Sequence, residues 1–188
     1  MEDPHRLQRV FRVLMQAMAN PGKAFPVATS GDSPLLYEIC DTLFDHEVSL
    51  AATGDGIDGQ MIEDICFFSG CRCVSIENAD YVIVFGGCSQ GALLNVSVGT
   101  LERPHGGATI FYPVAGFNGK QGVNLTLRGP GINGRVKVTI DGVRSEELAL
   151  ASRINSRFPL GVDLIFCDAA SVMTIPRSAT LTFSAKEG

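Results

Sequence analysis

The residues best placed to do chemistry in this chain are an acid inside an apolar segment and an arginine that follows it. Asp163 interrupts the apolar run Val162–Cys167, and Arg177 comes shortly afterwards, followed by Ser178. A buried carboxylate without a partner is strongly destabilising, so Asp163 needs a nearby cation. A guanidinium meets that need, and it also suits a phosphate group. We therefore predict a structural Asp163–Arg177 pair, with phosphate binding at Arg177 and Ser178 as the alternative.

A second candidate is the glycine-rich segment Gly86–Gly91, which follows an apolar run typical of a buried strand. Backbone N–H groups at such a junction can hold a phosphate, which makes Gly87 a candidate ligand-binding residue. An ordinary turn is the simpler interpretation. The chain has no lysine between Lys23 and Lys120, which excludes a P-loop.

Potential catalytic groups are scattered along the chain. Cys88, Ser89 and Ser178 are potential nucleophiles, but no Ser-His-Asp order is recognisable. His105 lies between proline and glycine residues, where it could bind a ligand or exchange a proton, although most exposed loop histidines have no such role. We therefore predict no catalytic residue and keep His105 as a candidate for ligand binding.

The segment Gly129–Gly134 matches the dinucleotide-binding pattern G-x-G-x-x-G. That mechanism requires a helix after the glycines, so that its N-terminus can face a pyrophosphate. Here residues Arg135–Ile140 alternate between polar and apolar side chains, as a strand does. We predict a hairpin turn.

The six cysteines include a cluster, Cys66, Cys71 and Cys73. Structural zinc sites usually contain two Cys-x-x-Cys knuckles, and no second knuckle follows this cluster. The N-terminus also lacks the features of a secretory signal, so we expect a cytoplasmic protein with reduced, mostly buried thiols. We predict no metal site and assign no role to the cluster.

The segments around these candidates alternate between helical and strand patterns. The net charge is −5, which is unfavourable for binding nucleic acid, and no apolar run is long enough to span a membrane. Four helices are predicted, of which the first begins at Asp3-Pro4 and carries an apolar stripe of Leu7, Val10, Phe11, Leu14, Met15 and Met18. The other helices are predicted after Ser33, over Gln60–Phe68 and from Ser145 to Arg157. Strands are predicted over Val48–Ala52, Tyr81–Phe85, Ala108–Val114, Val123–Arg128, Val136–Ile140, Val162–Cys167, Val172–Ile175 and Ala179–Phe183. This pattern predicts a single α/β domain over residues 1–188, with mixed strand directions and the last three strands closing the sheet.

Several segments occur in the order found in one protein family. They are Phe11–Met18 with Pro21-Gly22, Gly99–Leu101 with Gly107–Thr109, Leu125–Leu127 with Gly129–Ile132, Phe158–Ile165, and Ile175–Ser178. As an ordered set, they resemble the H subunit of the bacterial carbon-phosphorus lyase system, which degrades phosphonates. The likeness spans nearly the whole chain.

The resemblance implies a three-layer mixed sheet like the large domain of pyridoxal-phosphate-dependent transferases, without the cofactor. It also implies a homodimer that joins the G, I and J subunits. Their complex is linked to moving a phosphonate onto the ribose of ATP with release of adenine, before a radical partner cleaves the carbon-phosphorus bond. It gives no catalytic residue to carry over, so we expect a structural subunit, or alternatively one that binds a nucleotide or phosphonate.

The lysines give a separate argument against a pyridoxal enzyme, which needs a lysine for its Schiff base. The chain has only Lys23, Lys120, Lys137 and Lys186. None lies in a convincing pocket motif, and Lys120 is the only one that we regard as worth testing. We predict no cofactor.

Overall fold

The computed structural model describes residues 4–28 and 34–183. The helices in these ranges are α1 (Pro4–Ala19), α2 (Leu35–Leu43), α3 (Gly59–Ser69) and α4 (Ser145–Ile154). The strands are β1 (Phe25–Pro26), β2 (Ser49–Gly54), β3 (Arg72–Cys73), β4 (Tyr81–Phe85), β5 (Thr109–Pro113), β6 (Gly116–Phe117), β7 (Val123–Arg128), β8 (Val136–Asp141), β9 (Asp163–Cys167), β10 (Ser171–Ile175) and β11 (Thr180–Phe183). Short 3₁₀ turns occupy Ile76–Asn78, Ala92–Asn95, Pro104–Gly106 and Asn155–Arg157. Asp3 and Ser33, at which the first two helices were predicted to begin, lie outside the described residues.

Seven strands form a mixed sheet in the order β1-β10-β9-β5-β4-β2-β3. The five strands from β9 to β3 run parallel, whereas β10 and β1 are antiparallel additions at one edge. The prediction of an α/β fold with mixed strand directions is confirmed.

The other four strands form a separate antiparallel sheet in the order β11-β7-β8-β6. The prediction that the last three strands close one sheet is therefore wrong in two respects. Strand β9 lies in the middle of the large sheet, and β11 leaves that sheet to pair with β7. Alternation shows which face of a strand is buried, but it does not show which sheet the strand joins.

Side chains of the large sheet divide between two cores because successive residues of a strand point to opposite faces. In β4, Val82 and Val84 pack towards the second sheet and α4, whereas Ile83 packs towards α1, α2 and α3. Strand β5 repeats the division, with Tyr112 on the first side and Phe111 on the second. The large sheet is therefore the middle layer, covered by three helices on one face and by the second sheet with α4 on the other.

Helix α1 buries a narrower stripe than predicted. Val10, Leu14 and Ala17 are buried, but Phe11 and Met15 are exposed. The helix contacts its neighbours through a narrow stripe of side chains. Phe11 and Met15, which each follow a buried residue of that stripe, therefore face outward. No helix in residues 4–28 and 34–183 is both long enough and apolar enough to cross a lipid bilayer.

Cys167 in β9 should make the fold less stable as the pH rises above about 9. Burial, followed by the neighbouring Asp168 carboxylate, raises the pKa of its thiol from 9.0 to about 12. Between these two values the unfolded chain binds fewer protons than the folded one, so the free energy of unfolding falls as pH rises. We expect this thiol to contribute a slope of at most about 1.4 kcal/mol per pH unit.

Urea unfolding at several pH values above about 9 would measure this slope. Buried Tyr112 and Cys40 also have pKa values raised above their ordinary values, first by burial, so they contribute in the same direction. The comparison with Cys167→Ala isolates Cys167, because that variant should lose stability less steeply. Equal slopes in both proteins would contradict the expectation.

Candidate functional site

The parallel strands create a crevice at one point of the large sheet. From β2 the chain passes through α3 to β3 on one side of β2, and it then returns to β4 on the other side. Ligands of open α/β sheets bind at such switch points, beyond the carboxyl ends of the strands. The residues that follow these two strands are Asp55 and the segment Gly86–Gly91.

Polar side chains meet in this switch-point crevice. The amide of Gln90 donates a hydrogen bond to Asp55 Oδ1, and Arg144 Nη2 lies 3.6 Å from Asp55 Oδ2. Gln90 has a φ of +54°, which is unusual for a residue with a side chain and occurs preferentially at functional sites. Asp55 and Arg144 are both more than half exposed, so water screens their attraction. The crevice can therefore present one guanidinium to a ligand.

A buried network lies beneath the crevice, and the sequence analysis missed it. Glu147 is only 2% exposed, and it accepts hydrogen bonds from Ser89 Oγ (3.0 Å) and the Tyr112 hydroxyl (3.0 Å). Ser89 Oγ in turn accepts a hydrogen bond from the Leu93 backbone N–H. Burial, followed by the Glu147 carboxylate, raises the pKa of Tyr112 well above its ordinary value, so its hydroxyl keeps the proton that it donates. A tyrosine in the otherwise apolar strand β5 was the available signal, because a buried hydroxyl needs a partner.

In this network Ser89, a predicted nucleophile, has a structural role. A serine hydroxyl that donates to a carboxylate resembles part of a catalytic arrangement. However, Ser89 is 2% exposed, and its bonds tie the glycine-rich segment to α4 and β5. A substrate cannot reach Ser89 in this conformation, so its role here is to hold the loop.

Gly87 packs closely against the backbone of Gly142 and Val143. A Cβ atom at this position would lie 1.9 Å from the Gly142 carbonyl oxygen, and the Gly87 φ of +66° already disfavours a side chain. The segment leads into a single 3₁₀ turn, Ala92–Asn95, rather than a full helix. The helix N-terminus that would strengthen anion binding is therefore absent at this place.

Substitution of Gly87 should be clearly more destabilising than substitution of Gly91. Gly91 also has a positive φ, +88°, but a Cβ there would meet no atom within 4 Å. We expect Gly91→Ala to lower the free energy of unfolding by about 1–2 kcal/mol from backbone strain alone. Gly87→Ala adds steric overlap and should lower it by about 3 kcal/mol. Urea unfolding of both variants would measure the difference, and equal losses would show that the backbone at Gly87 moves freely.

Arg177 lies at the opposite end of the parallel strands from Gly87. Its Nε and Nη2 atoms donate to Asp163 Oδ2 at 3.0 and 2.6 Å, and its backbone N–H donates to Asp163 Oδ1 at 2.8 Å. Nη1 also donates to the Pro104 carbonyl oxygen at 2.6 Å, and Nη2 donates to that of Gly107 at 3.1 Å. The guanidinium is therefore engaged by protein acceptors on two segments, the loop before β5 and the start of β9.

The other predicted residues do not form one site. Ser178 follows Arg177 in a turn and is partly buried, whereas His105 is exposed in the 3₁₀ turn Pro104–Gly106. The two groups of ligand-binding candidates, Gly87 on one side and Arg177 with its neighbours on the other, lie at opposite ends of the parallel strands.

The glycines of Gly129–Gly134 connect β7 to β8, which pair as an antiparallel hairpin. A Cβ at Gly131 would lie 2.3 Å from the Ala19 carbonyl oxygen, so the turn packs against the end of α1. A strand follows the glycines, as predicted, and the context for dinucleotide binding is missing at this position.

The cysteine cluster corrects another prediction. Cys66 and Cys73 form a disulfide, so they are not free thiols, and Cys71 Sγ lies 3.8 Å from Cys66 Sγ. The left-handed turn at Gly70 brings these sulfur atoms together, a contact that spacing alone did not reveal. Within the described residues, no group of three or more histidines, cysteines or acids is arranged to hold a metal ion.

The lysines lie on the surface. Lys23, Lys120 and Lys137 are exposed, and Lys23 lies over the Phe25 ring at 5.1 Å from its centroid. Lys186 lies outside the described residues. Among the described lysines, none is enclosed as a Schiff-base lysine would be.

A cleft of about 540 Å³ opens between α1, α2 and α3. Its lining includes Arg6, Tyr37, Asp41, Asp64 and Phe68. Arg6 forms an ion pair with Asp41, which holds α1 against α2. This cleft was not predictable from the sequence, because its residues come from three helices whose packing is not encoded in their spacing.

Comparison with known proteins adds the family. The family model described as bacterial phosphonate metabolism protein (PhnH) matches residues 1–182. The chain belongs to this family. A relative from Stutzerimonas stutzeri, described as "Putative C-P lyase subunit protein HtxG", is 34% identical over 175 residues. The match covers 92% of this chain and 84% of that protein. The resemblance inferred from the ordered segments is confirmed at the level of the PhnH family.

Proposed function

We propose that this PhnH-family protein is a subunit of a carbon-phosphorus lyase complex in phosphonate catabolism, with a structural rather than catalytic role. Membership of a phosphonate metabolism family and 34% identity to a protein described as a C-P lyase subunit support the proposal. The proposed partners are the G, I and J subunits, together with a second copy of this chain. The proposed location is the cytoplasm.

The main support for a structural role is that the Arg177 guanidinium is hydrogen-bonded to other parts of the protein. Its guanidinium was the strongest candidate for a phosphate ligand, yet it donates to Asp163, Pro104 and Gly107. These bonds fasten the loop before β5 to the start of β9. A fastened loop suits protein recognition, because little conformational entropy remains to be lost on binding.

Two apolar side chains project from the segments that Arg177 fastens. Leu101 is 73% exposed in the loop before β5, and Phe158 is 63% exposed in the turn before β9. The two segments are joined by a hydrogen bond from the Gly161 N–H to the Val98 carbonyl oxygen, 3.0 Å long. Exposed apolar groups on a braced backbone are suited to the centre of a protein interface. We assign this Leu101/Phe158 surface to contact with the other subunits.

The reaction step and the fold match that we propose are those that the family resemblance implies. The complex would move a phosphonate onto the ribose of ATP with release of adenine, and this subunit would support that step without supplying its reacting groups. The fold would match the large domain of pyridoxal-phosphate-dependent transferases without the cofactor. The three-layer arrangement around a mixed sheet agrees with that fold class.

Co-expression with the G, I and J subunits, followed by affinity capture of this chain, tests the complex. We expect all four proteins to elute together, and Leu101→Asp and Phe158→Asp to reduce capture at least tenfold, because each buries a charge in the interface. Leu94→Asp is the matched control, since Leu94 is 61% exposed on another segment. Separate elution of the intact proteins at micromolar concentration would reject the complex, and full capture by both variants would reject this surface.

A second candidate function is nucleotide or phosphonate binding at the switch-point crevice. The location of Arg144 and the glycine-rich segment beyond β2 and β4 favours it over a site at Arg177. Calorimetry with ATP and with methylphosphonate tests this function, and Arg144→Ala should abolish most of the heat while exposed Arg135→Ala preserves it. No heat from the intact protein rejects the candidate, and loss of heat only in Arg177→Ala would move the site to Arg177.

A further inference from the structure

The end of α3 brings three sulfur atoms together at an edge of the large sheet. Gly70 ends the helix in the left-handed conformation, with a φ of +74°. This turn returns Cys71 to the last turn of α3, where its Sγ lies 3.8 Å from Cys66 Sγ. Two residues later Cys73 enters β3 and is bonded to Cys66. One sulfur atom, that of Cys66, is therefore adjacent to both others.

The three cysteines differ in their access to solvent. Cys73 is exposed, because β3 is the edge strand of the large sheet. Cys66 is partly buried, and Cys71 is only 6% exposed. A reagent in solution can therefore reach Cys73 first, while Cys71 faces the disulfide from the protein side.

We propose that Cys66, Cys71 and Cys73 form a thiol–disulfide exchange site whose substrates are low-molecular-weight disulfides and thiols of the glutathione type. This inference is independent of the phosphonate function. A disulfide that serves only as a cross-link needs no third thiol. A thiol next to one sulfur of the bond supplies the attacking group for exchange.

The disulfide forms with a glutathione-type disulfide as the oxidant. The Cys73 thiolate attacks one sulfur of that disulfide, which forms a mixed disulfide and releases one glutathione thiolate. The Cys66 thiolate then attacks the Cys73 sulfur and releases the second. Two protein thiols are oxidised and one small disulfide is reduced to two thiols.

The internal exchange needs no further oxidant. Cys71 loses its proton, and its thiolate attacks Cys66 Sγ, so that a Cys66–Cys71 bond forms and the Cys66–Cys73 bond breaks. The electron pair goes to Cys73, which takes up a proton and becomes a free surface thiol. The exchange replaces a disulfide between α3 and β3 with one that closes the short loop Cys66–Cys71 at the end of α3.

Tryptic peptides distinguish the two bonded states, because Arg72 lies between Cys71 and Cys73. Cleavage at Lys23, Arg72 and Lys120 places Cys66 and Cys71 in one peptide and Cys73 in the next. A Cys66–Cys73 bond joins two peptides, whereas a Cys66–Cys71 bond lies within one. The native protein would be equilibrated with glutathione and its disulfide at several ratios, quenched in acid and alkylated under denaturing conditions for mass spectrometry.

In the intact protein we expect four alkylated cysteines out of six under oxidising conditions. Both bonded states should be present at equilibrium. Cys73→Ser should form the Cys66–Cys71 bond, and Cys71→Ser should form only Cys66–Cys73. Cys88→Ser, which changes a buried cysteine outside the cluster, should leave the pairing unchanged.

Two results would overturn the proposal. One is six alkylated cysteines in the intact protein at every ratio, which would mean that no bond forms. The other is a Cys66–Cys73 bond as the sole product in the intact protein at every ratio, which would mean that Cys71 does not exchange. The intact protein alone is sufficient to decide, should a variant fail to fold.

Discussion

Replacing Glu147 with alanine should lower the free energy of unfolding by about 4 kcal/mol. The change removes the acceptor of two buried hydroxyl groups, those of Ser89 and Tyr112. A buried donor left without a partner costs about 1–3 kcal/mol, and the cavity left by the side chain adds to that loss. Urea or thermal unfolding of the variant would measure the effect.

Glu146 supplies a matched control, because it precedes Glu147 in the same helix but is exposed. Glu146→Ala should change stability by no more than about 0.5 kcal/mol. Glu147→Gln should lie between the two, since the amide retains one acceptor oxygen and introduces donors that face two hydroxyl groups. If Glu147→Ala were as stable as Glu146→Ala, the network would have no role in holding the glycine-rich segment.

Replacing Asp163 with alanine should lower the free energy of unfolding by about 3–5 kcal/mol. The side chains of Asp163 and Arg177 are only 18% and 13% exposed, so the variant leaves a largely buried guanidinium without its carboxylate. The backbone N–H of Arg177 loses its acceptor as well. For a chain of this size, the melting temperature should fall by about 6–20 °C.

Thermal unfolding beside the control Glu63→Ala, which alters an exposed acid on α3, would measure this effect. The structural role also predicts that capture of the proposed partner subunits weakens only as the protein unfolds. Unchanged melting together with loss of the complex would instead assign the pair a direct role in binding or catalysis.

The longer strands were predictable from sequence because their side chains alternate or are apolar throughout, whereas the two-residue strands β1, β3 and β6 were not predicted. Tyr81–Phe85 is recognisable from its own residues, and β7 and β8 show one polar face each. Their arrangement was not predictable in the same way. Thr109 pairs with Asp163, although β6, β7, β8 and α4 lie between them in the chain. No local pattern encodes a contact across that separation.

In the candidate sites as well, features set by neighbouring residues were predictable from sequence, whereas contacts between distant segments were not. Asp163 and Arg177 could be paired from sequence because an acid in an apolar strand requires a cation. Glu147 was missed because the first turn of a helix is an ordinary place for an exposed acid. Its burial depends on Tyr112 and Ser89, which belong to distant segments. The Cys66–Cys73 bond was missed because it depends on the backbone conformation of Gly70.

The pairing of β5 with β9 has a consequence for synthesis on the ribosome. About 50 residues separate the end of β5 from the start of β9, and translation takes roughly 3–10 s to supply them. During that interval β5 presents an unpaired edge formed by Ile110, Phe111 and Tyr112. Such an edge is a template for pairing with another nascent chain. Slow translation of β6, β7, β8 and α4 would lengthen this exposure, so the yield of soluble protein should depend on the speed at which residues 114–162 are made.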